Sequence, residues 1–210
     1  MSGPLLPSPL RMPPAYWRAL YLLLGQIGWL ICVLSAAHGK AWIGAVFVTL
    51  LVAGHLCATS DRLREAMFVA FVALAGWGWE SFVLRTGWIA YPADRWPTGY
   101  APYWMAGLWA LFSVQINPLF SSLRPHWALA SVLGAVGGPL SFRAGAALGA
   151  VTFLAPWAAL AVIAAGWAVH FPALLWLGGR IGAAPLWRHA THAGSVSASA
   201  SGQRGTNISD

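Results

Sequence analysis

The sequence contains very little charge. Only 8% of its 210 residues are Asp, Glu, Lys or Arg, and just five of these are acidic. A soluble domain usually has about 25% charged residues, whereas 59% of this chain is hydrophobic and its mean hydropathy is +0.65. The apolar surface is too large for one water-soluble core. The composition therefore excludes an ordinary soluble domain and indicates a polytopic membrane protein.

Cysteine and the common catalytic motifs are also scarce. The two cysteines, Cys32 and Cys57, lie in apolar segments without CxxC or metal-ligand spacing. A disulfide between neighbouring helices is open, but two buried, free cysteines are the favoured interpretation. There is no P-loop, Rossmann glycine motif, HExxH, nucleophile elbow or CxxCH, so we expect no metal and no cofactor. The net charge of +7 is spread over loops and chain ends, and we expect no nucleic-acid partner.

Six hydrophobic segments follow a proline-rich N-terminal arm (1–15). Each is near the ~20 residues that cross about 30 Å of hydrocarbon, and a helix satisfies its own backbone polar groups in lipid. The sequence predicts an all-α transmembrane bundle over 16–179, with spans at about 16–37, 41–58, 66–88, 102–120, 126–143 and 155–178. The first segment is interpreted as a retained helix, because its apolar run is longer than a signal-peptide core. A Ser/Gly/Ala-rich tail (180–210) is expected to be disordered.

The distribution of basic residues predicts the orientation of these spans. Seven basic residues fall on one side: Arg11, Arg18, Arg62, Arg64, Arg124, Arg180 and Arg188. Four fall on the other: Lys40, Arg85, Arg95 and Arg143. Because cytoplasmic loops are enriched in Lys and Arg, both termini are predicted to be cytoplasmic.

Glu80 is the strongest candidate for a functional residue. It lies within the third span, where an ionised carboxylate is costly unless it is paired or hydrogen-bonded. A structural role and a ligand-binding or catalytic role are both open. Arg85 is five residues away, about 140° around the helix, and is better placed to reach the headgroups. We predict that Glu80 pairs with Arg143, which ends the fifth span in the same half of the bilayer. The predicted ligand-binding residues around Glu80 are Arg143, Arg85 and Trp104.

The candidate site has further members on the fourth and fifth spans. Trp104 is an interfacial anchor that also flanks the proposed pocket, and Asn117 is expected to make helix-to-helix hydrogen bonds. Small residues at a spacing of four let helices approach closely, and proline bends or breaks a helix. On these grounds the fifth span is predicted to have a tight glycine seam, formed by Gly134, Gly138, Gly145 and Gly149, and to bend or break at Pro139.

The segments "PYWMAGLWALFSVQIN" and "LGAVGGPLSFRAGAALGAV" resemble a family of uncharacterised bacterial inner-membrane proteins, the domain of unknown function 2878 family. The resemblance rests on a Pro-x-Trp…Leu-Trp…Phe helix followed by Gly-Pro-Leu-Ser-aromatic-x-Ala-Gly and Gly-Ala. Pro118 follows Asn117 where family members often have histidine, so no role carries over to that position. The resemblance implies six spans and a Gram-negative inner membrane, but no activity.

The leading hypothesis is an inner-membrane protein that binds or modifies a membrane lipid between its helices. Its acyl or isoprenoid chain would lie in the outer half of the bundle, with Arg143 at the headgroup and Glu80 as orienting group or acid/base. Two other classes remain open. One is a non-catalytic accessory subunit that contacts a partner membrane protein, and the other is a small-solute transporter.

Overall fold

The structure, a computed structural model, describes residues 14–92 and 99–182. Its six helices are α1 (Pro14–Ala37), α2 (Ala41–Cys57), α3 (Arg62–Arg85), α4 (Tyr103–Phe120), α5 (Trp127–Ala147) and α6 (Pro156–Arg180). The strands β1 (Ile89–Ala90) and β2 (Thr152–Phe153) are short. The predicted all-α six-helix bundle is confirmed. Most of the predicted N-terminal arm (1–15), residues 93–98 with Arg95, and most of the tail (180–210) lie outside the described residues.

The helix ends have local causes. Asp61 caps α3, since its side chain accepts a hydrogen bond from the backbone N–H of Arg64 at 3.1 Å. Helix α5 ends in a Schellman arrangement, in which Gly149 has a φ of 86°. The N–H of Ala150 donates to the carbonyl of Gly145 at 2.9 Å. Glycine is favoured at this position because a side chain strains the left-handed backbone.

Helix α4 is the centre of the bundle. It packs against α1, α2, α3 and α6, whereas α5 packs mainly along α6. Helices α1 and α2, α3 and α4, and α5 and α6 form three hairpins, each with extensive contact between its two members. Because α1 and α5 pack on different neighbours, little backbone contact joins them.

The two ends of the bundle differ in character. At one, called here the strand end, β1 and β2 pair antiparallel with Ile89 opposite Phe153, and so join the loops after α3 and α5. At the other, called the basic end, Arg64 donates to the carbonyl of Arg180. The strand end is the side predicted to be periplasmic, and the basic end is the side predicted to be cytoplasmic.

Three helices of the described chain, α1, α3 and α6, are long and apolar enough to cross a membrane. Helix α2 is apolar but shorter. Together with the composition, these helices indicate a membrane protein.

The cysteines differ from the sequence-based interpretation in one respect. Both are free, and Cys32 is fully buried, but Cys57 is exposed. The reason is position, because Cys57 is the last residue of α2 and lies at the rim of the basic end.

Candidate functional site: a cavity beside Glu80

A cavity of about 570 Å³ lies between α1, α4, α5 and α6, with Glu80 of α3 on its wall. Most of its lining is apolar, and the polar side chains on the wall include Gln26, Gln115 and Ser141. Leu22 of α1 and Leu133 of α5 line the cavity and are also exposed on the surface of the bundle. The cavity therefore opens sideways, between α1 and α5.

One hydrogen bond spans this opening. The indole N–H of Trp29 on α1 donates to the hydroxyl of Ser141 on α5 at 3.1 Å. Toward the strand end, most of the space beyond the cavity is occupied by a cluster that includes Ala36, Trp104 and Ala150. The lateral gap between α1 and α5 is thus the clearest route from the cavity to the outside of the bundle.

Glu80 is held by the central helix. Its side chain is 1% exposed, and its Oε1 accepts a hydrogen bond from the indole N–H of Trp109 at 3.2 Å. Gly76 lies one turn earlier on the same face of α3, and a Cβ there would overlap the Trp109 ring. The glycine therefore lets α4 bring its tryptophan onto α3, beside the carboxyl. The second carboxyl oxygen, Oε2, has no hydrogen-bond partner.

A stacked pair of tryptophans continues the wall. The rings of Trp109 and Trp167 lie 4.9 Å apart between centroids and are tilted by 15°. Trp167 lies against α5, where a Cβ at Gly138 would overlap its ring. Its indole N–H is buried and has no hydrogen-bond partner. The neighbouring His170 bonds through Nδ1 to the carbonyl of Gly166 in its own helix at 2.6 Å.

Tyr91, in the segment after β1, approaches Glu80 from the strand end. Burial, and then the nearby Glu80 carboxyl, raise the pKa of the Tyr91 hydroxyl well above its usual range, so this group stays neutral. The two groups interact electrostatically, but neither Tyr91 Oη nor Glu80 Oε2 completes a hydrogen bond of normal geometry. Tyr91 also packs edge-on against Trp104, with ring centroids 5.7 Å apart.

The predicted Glu80–Arg143 pair is not formed, and this is the main correction. Arg143 is exposed and does not line the cavity. Among the described residues the ion pair found is His55–Glu65 instead. The physical reason is position: α5 continues to Ala147, so Arg143 lies in its last turns, where a long side chain reaches out of the bundle.

The other two predicted ligand-binding residues also lie away from the cavity wall. Arg85 is exposed and donates a hydrogen bond to the carbonyl of Gly99 at 2.8 Å. Its guanidinium carbon lies 4.8 Å from the centre of the Tyr100 ring. Arg85 therefore stabilises the residues just before α4. Trp104 is buried beside Tyr91 and lines an adjoining, much smaller cavity of about 40 Å³.

The structure divides the predicted glycine seam. Gly134 and Gly138 lie against Trp167 of α6, and a Cβ at Gly134 would overlap the Trp167 backbone carbonyl. Gly145 is buried with only ordinary contacts, and Gly149 lies beyond the helix end.

Helix α5 runs without interruption through Pro139, so of the predicted bend or break the break is wrong. Proline removes one backbone donor, and a helix in a bundle accommodates this where neighbours supply other contacts. Asn117 is buried on α4, and its Oδ1 accepts a hydrogen bond from Arg124. It therefore connects α4 to the turn before α5.

Sequence reasoning missed a buried polar network near the basic end. The hydroxyl of Tyr21 bonds to His55 Nδ1 at 2.7 Å, and His55 Nε2 lies 3.0 Å from Glu65 Oε1. Both His55 and Glu65 are almost fully buried. The available signal was Glu65 itself, an acid one turn into a helix that begins at Arg62, four residues earlier than predicted. Within residues 14–92 and 99–182, no group of three His, Cys, Asp or Glu side chains is arranged for a metal.

Comparison with known proteins gives one match. A family model described as "Protein of unknown function (DUF2878)" matches residues 19–173, from the start of α1 to the last turns of α6. This confirms the resemblance found in the sequence. No curated protein and no solved structure matches the chain.

Proposed function

We propose, from the premise that the chain belongs to the DUF2878 family of proteins of unknown function, that it is a multi-pass protein of the bacterial inner membrane that binds a membrane lipid. The acyl or isoprenoid chain of that lipid occupies the cavity beside Glu80. The observation that carries the proposal is the apolar cavity that opens sideways between α1 and α5, toward the hydrocarbon of a bilayer.

The positions of exposed tryptophans support six crossings. Trp42 and Trp157 are the second residues of α2 and α6 at the strand end, and Trp127 and Trp176 lie near the basic end. All four are exposed, and Trp157 is 85% exposed. Tryptophan prefers the level of the lipid headgroups. Trp157 and Trp176 are nineteen residues apart, about 28 Å along a helix, which matches the thickness of the hydrocarbon layer.

The size and chemistry of the cavity suit a lipid chain. Ligand sites in proteins occupy roughly 300–1,000 Å³ and are lined mainly by apolar and aromatic side chains, and this cavity of about 570 Å³ falls within that range. Glu80 is the one acid on its wall among the described residues. If the protein modifies its lipid, Glu80 is the group positioned to transfer a proton there. If the protein is an accessory subunit, the same carboxyl only stabilises the cavity wall.

Native mass spectrometry of the detergent-extracted protein tests lipid binding. The unaltered chain is expected to retain a specific lipid, and Gly137→Phe, on the cavity wall, is expected to lose it. Gly54→Phe is the matched control, because Gly54 is also an exposed helix glycine with open space around it but lies outside the cavity. Recovery of no specific lipid, or equal loss in both variants, would contradict the proposal.

Glu80→Gln separates the two forms of the proposal, because it keeps the shape of the side chain and removes its acidity. A folded protein that still binds lipid but has lost its cellular activity supports an enzyme. Retained activity supports the accessory subunit. Uptake of a small solute by proteoliposomes would favour a transporter instead.

A further inference from the structure

The mouth of the cavity begins in the half of the bilayer at the basic end. Tyr16, near the start of α1, and Trp127, at the start of α5, are both exposed, and such aromatic residues mark the headgroup level. Leu22 and Leu133, which line the cavity and are exposed, each lie six residues further along these helices, about 9 Å deeper. The mouth therefore begins below the headgroups, in the hydrocarbon of that leaflet.

Toward the strand end, the gap between α1 and α5 narrows. Trp29, seven residues beyond Leu22, donates its hydrogen bond to Ser141 across the gap. Farther along α1, the Cβ of Ala37 lies 3.6 Å from the position that a Cβ on Gly149 would occupy, so α1 meets the end of α5 there. The open part of the gap therefore faces the leaflet at the basic end.

A cation, Arg18, lies just outside this mouth. It precedes three residues through which α1 lines the cavity, and spacings of four, seven and eleven residues place it on their face of the helix: Leu22, Gly25 and Trp29. Its side chain is exposed, and within the described part of the chain it has no hydrogen-bond or ion-pair partner. Arg18 thus lies at the headgroup level, directly below the opening.

Other arginines at the basic end are placed differently. Arg64 donates to the backbone carbonyl of Arg180, and Arg124 donates to that of Leu175, so both bind the end of α6. Arg62 is exposed but lies at the start of α3, away from the cavity. Arg18 is therefore the arginine positioned to contact a molecule that enters between α1 and α5.

The inner end of the cavity does not suit an anionic headgroup. In the described chain, the cavity-lining residues include no Lys, Arg or His, and the acid among them is Glu80. Its carboxyl already accepts the hydrogen bond from Trp109. An anion placed there would lie beside a carboxyl with no cation to balance its charge. The inner end is suited to the apolar chain of a lipid, and the charged end belongs outside the mouth.

We propose that the cavity takes one chain of an anionic phospholipid from the leaflet at the basic end, with the lipid phosphate at Arg18 and the end of the chain beside Trp109 and Glu80. This inference rests on the proposed function and adds the charge of the headgroup and the direction of the chain. Arginine binds phosphate through paired N–H donors, and its long apolar stem lets it reach the headgroups. Because the mouth opens sideways, the second chain of the lipid stays in the bilayer.

Competition between two phospholipids with the same chains tests the headgroup. The full-length protein is extracted from vesicles of equal parts phosphatidylglycerol and phosphatidylcholine, and the retained lipids are counted by native mass spectrometry. Phosphatidylglycerol is expected to be retained about fivefold over phosphatidylcholine, the effect of one arginine near the membrane surface. An excess of soluble glycerol phosphate should not displace it. Displacement would overturn the inference in favour of a soluble phosphate compound.

Three variants then assign the contact. Arg18→Gln should reduce the preference for phosphatidylglycerol to roughly twofold or less, whereas Arg18→Lys, which keeps the charge, should retain most of it. Arg62→Gln is the matched control, because it removes an exposed arginine from the same end of the bundle but outside the cavity, and it should leave the preference unchanged. A folded Arg18→Gln protein with the full preference, or an equal loss in Arg62→Gln, would overturn the assignment.

Photo-cross-linking of the unaltered chain tests the direction of the lipid and needs no variant to fold. Phosphatidylglycerol that carries a diazirine at the end of one chain should label peptides around Glu80 and Trp109. A diazirine on the same chain next to the glycerol should label peptides around Leu22 and Leu133. The reverse pattern would place the headgroup inside the cavity and overturn the inference.

The outcomes separate this inference from the proposed function. Equal retention of the two phospholipids means that the site recognises only the chain, which overturns the inference and leaves lipid binding intact. If neither lipid is retained and neither diazirine labels the cavity wall, the proposed function and the inference are contradicted together.

Discussion

Replacing Gly134 of α5 with alanine tests the contact on which the cavity wall depends. The added methyl group would overlap the backbone carbonyl of Trp167 and approach Phe171 Cβ at 3.0 Å. A backbone carbonyl cannot rotate away as a side chain can, so α5 and α6 must separate. Gly137, three residues further along the same helix, has open space where its Cβ would lie.

Replacing these two glycines with alanine should therefore change the free energy of unfolding in opposite directions. Alanine in a helix is more stable than glycine by roughly 0.5–1 kcal/mol, and Gly137→Ala should gain about that amount. Overpacking typically costs about 1–3 kcal/mol, so Gly134→Ala should lose up to about 2.5 kcal/mol after the same gain is subtracted. The two variants should differ by the overpacking cost, about 1–3 kcal/mol in free energy of unfolding, or by roughly 2–12 °C in Tm for a chain of this size.

Thermal unfolding followed by tryptophan fluorescence in detergent measures this difference, and the fourteen tryptophans give a strong signal. Gly137→Ala serves as the control for helix propensity, detergent and expression. If Gly134→Ala unfolds at the same temperature as Gly137→Ala, α5 does not lie against Trp167, and the shape of the cavity is wrong.

Two further predictions use groups near the basic end. A membrane-impermeant maleimide should label the exposed Cys57 and leave the buried Cys32 unreacted. With cytoplasmic termini this labelling should require a permeabilised inner membrane, and labelling in intact cells would reverse the orientation. In a double-mutant cycle, replacing His55 or Glu65 alone with leucine should lower the free energy of unfolding by about 3–5 kcal/mol. The double variant should lose at least about 1 kcal/mol less than the sum of the two single losses. Strictly additive losses, measured by the same unfolding assay, would mean that the buried pair contributes nothing.

The fold was largely predictable because its cause is local and repeated. Six apolar runs, each long enough for a helix and separated by Gly, Pro or charged residues, leave little choice of architecture. The boundary errors have a common direction at α3 and α5: α3 begins at Arg62 and α5 continues to Ala147, past residues expected to lie in loops. Charged residues end an apolar run in sequence, but they do not end a helix.

The candidate site was predicted only in part. Glu80 could be identified because a carboxyl within an apolar segment is costly unless it has a structural or functional role. The structure places Glu80 on the cavity wall. Its partner was misjudged, since the sequence suggested a cation and the structure supplies the indole N–H of Trp109. A neutral donor on another helix has no charge signature, so only three-dimensional packing reveals it.

The stacked tryptophans had a weak signal that could have been used. Trp109, Phe112 and Ile116 recur at helical spacing on α4, and Trp167 and Phe171 do so on α6. All five belong to or pack against one core cluster. The pattern identifies two buried faces, but not that they meet each other beside Glu80.

The closure of the strand end has a consequence for experiments. The β1–β2 pair and the Arg85–Gly99 hydrogen bond hold the loops at that end of the bundle. Under the proposed function, a ligand therefore passes from water into the bilayer before it reaches the protein. The fraction of protein with ligand bound then depends on the concentration of ligand within the bilayer, not on its concentration in the buffer. Adding empty vesicles at a fixed total amount of ligand should therefore weaken apparent binding, the behaviour known as surface dilution.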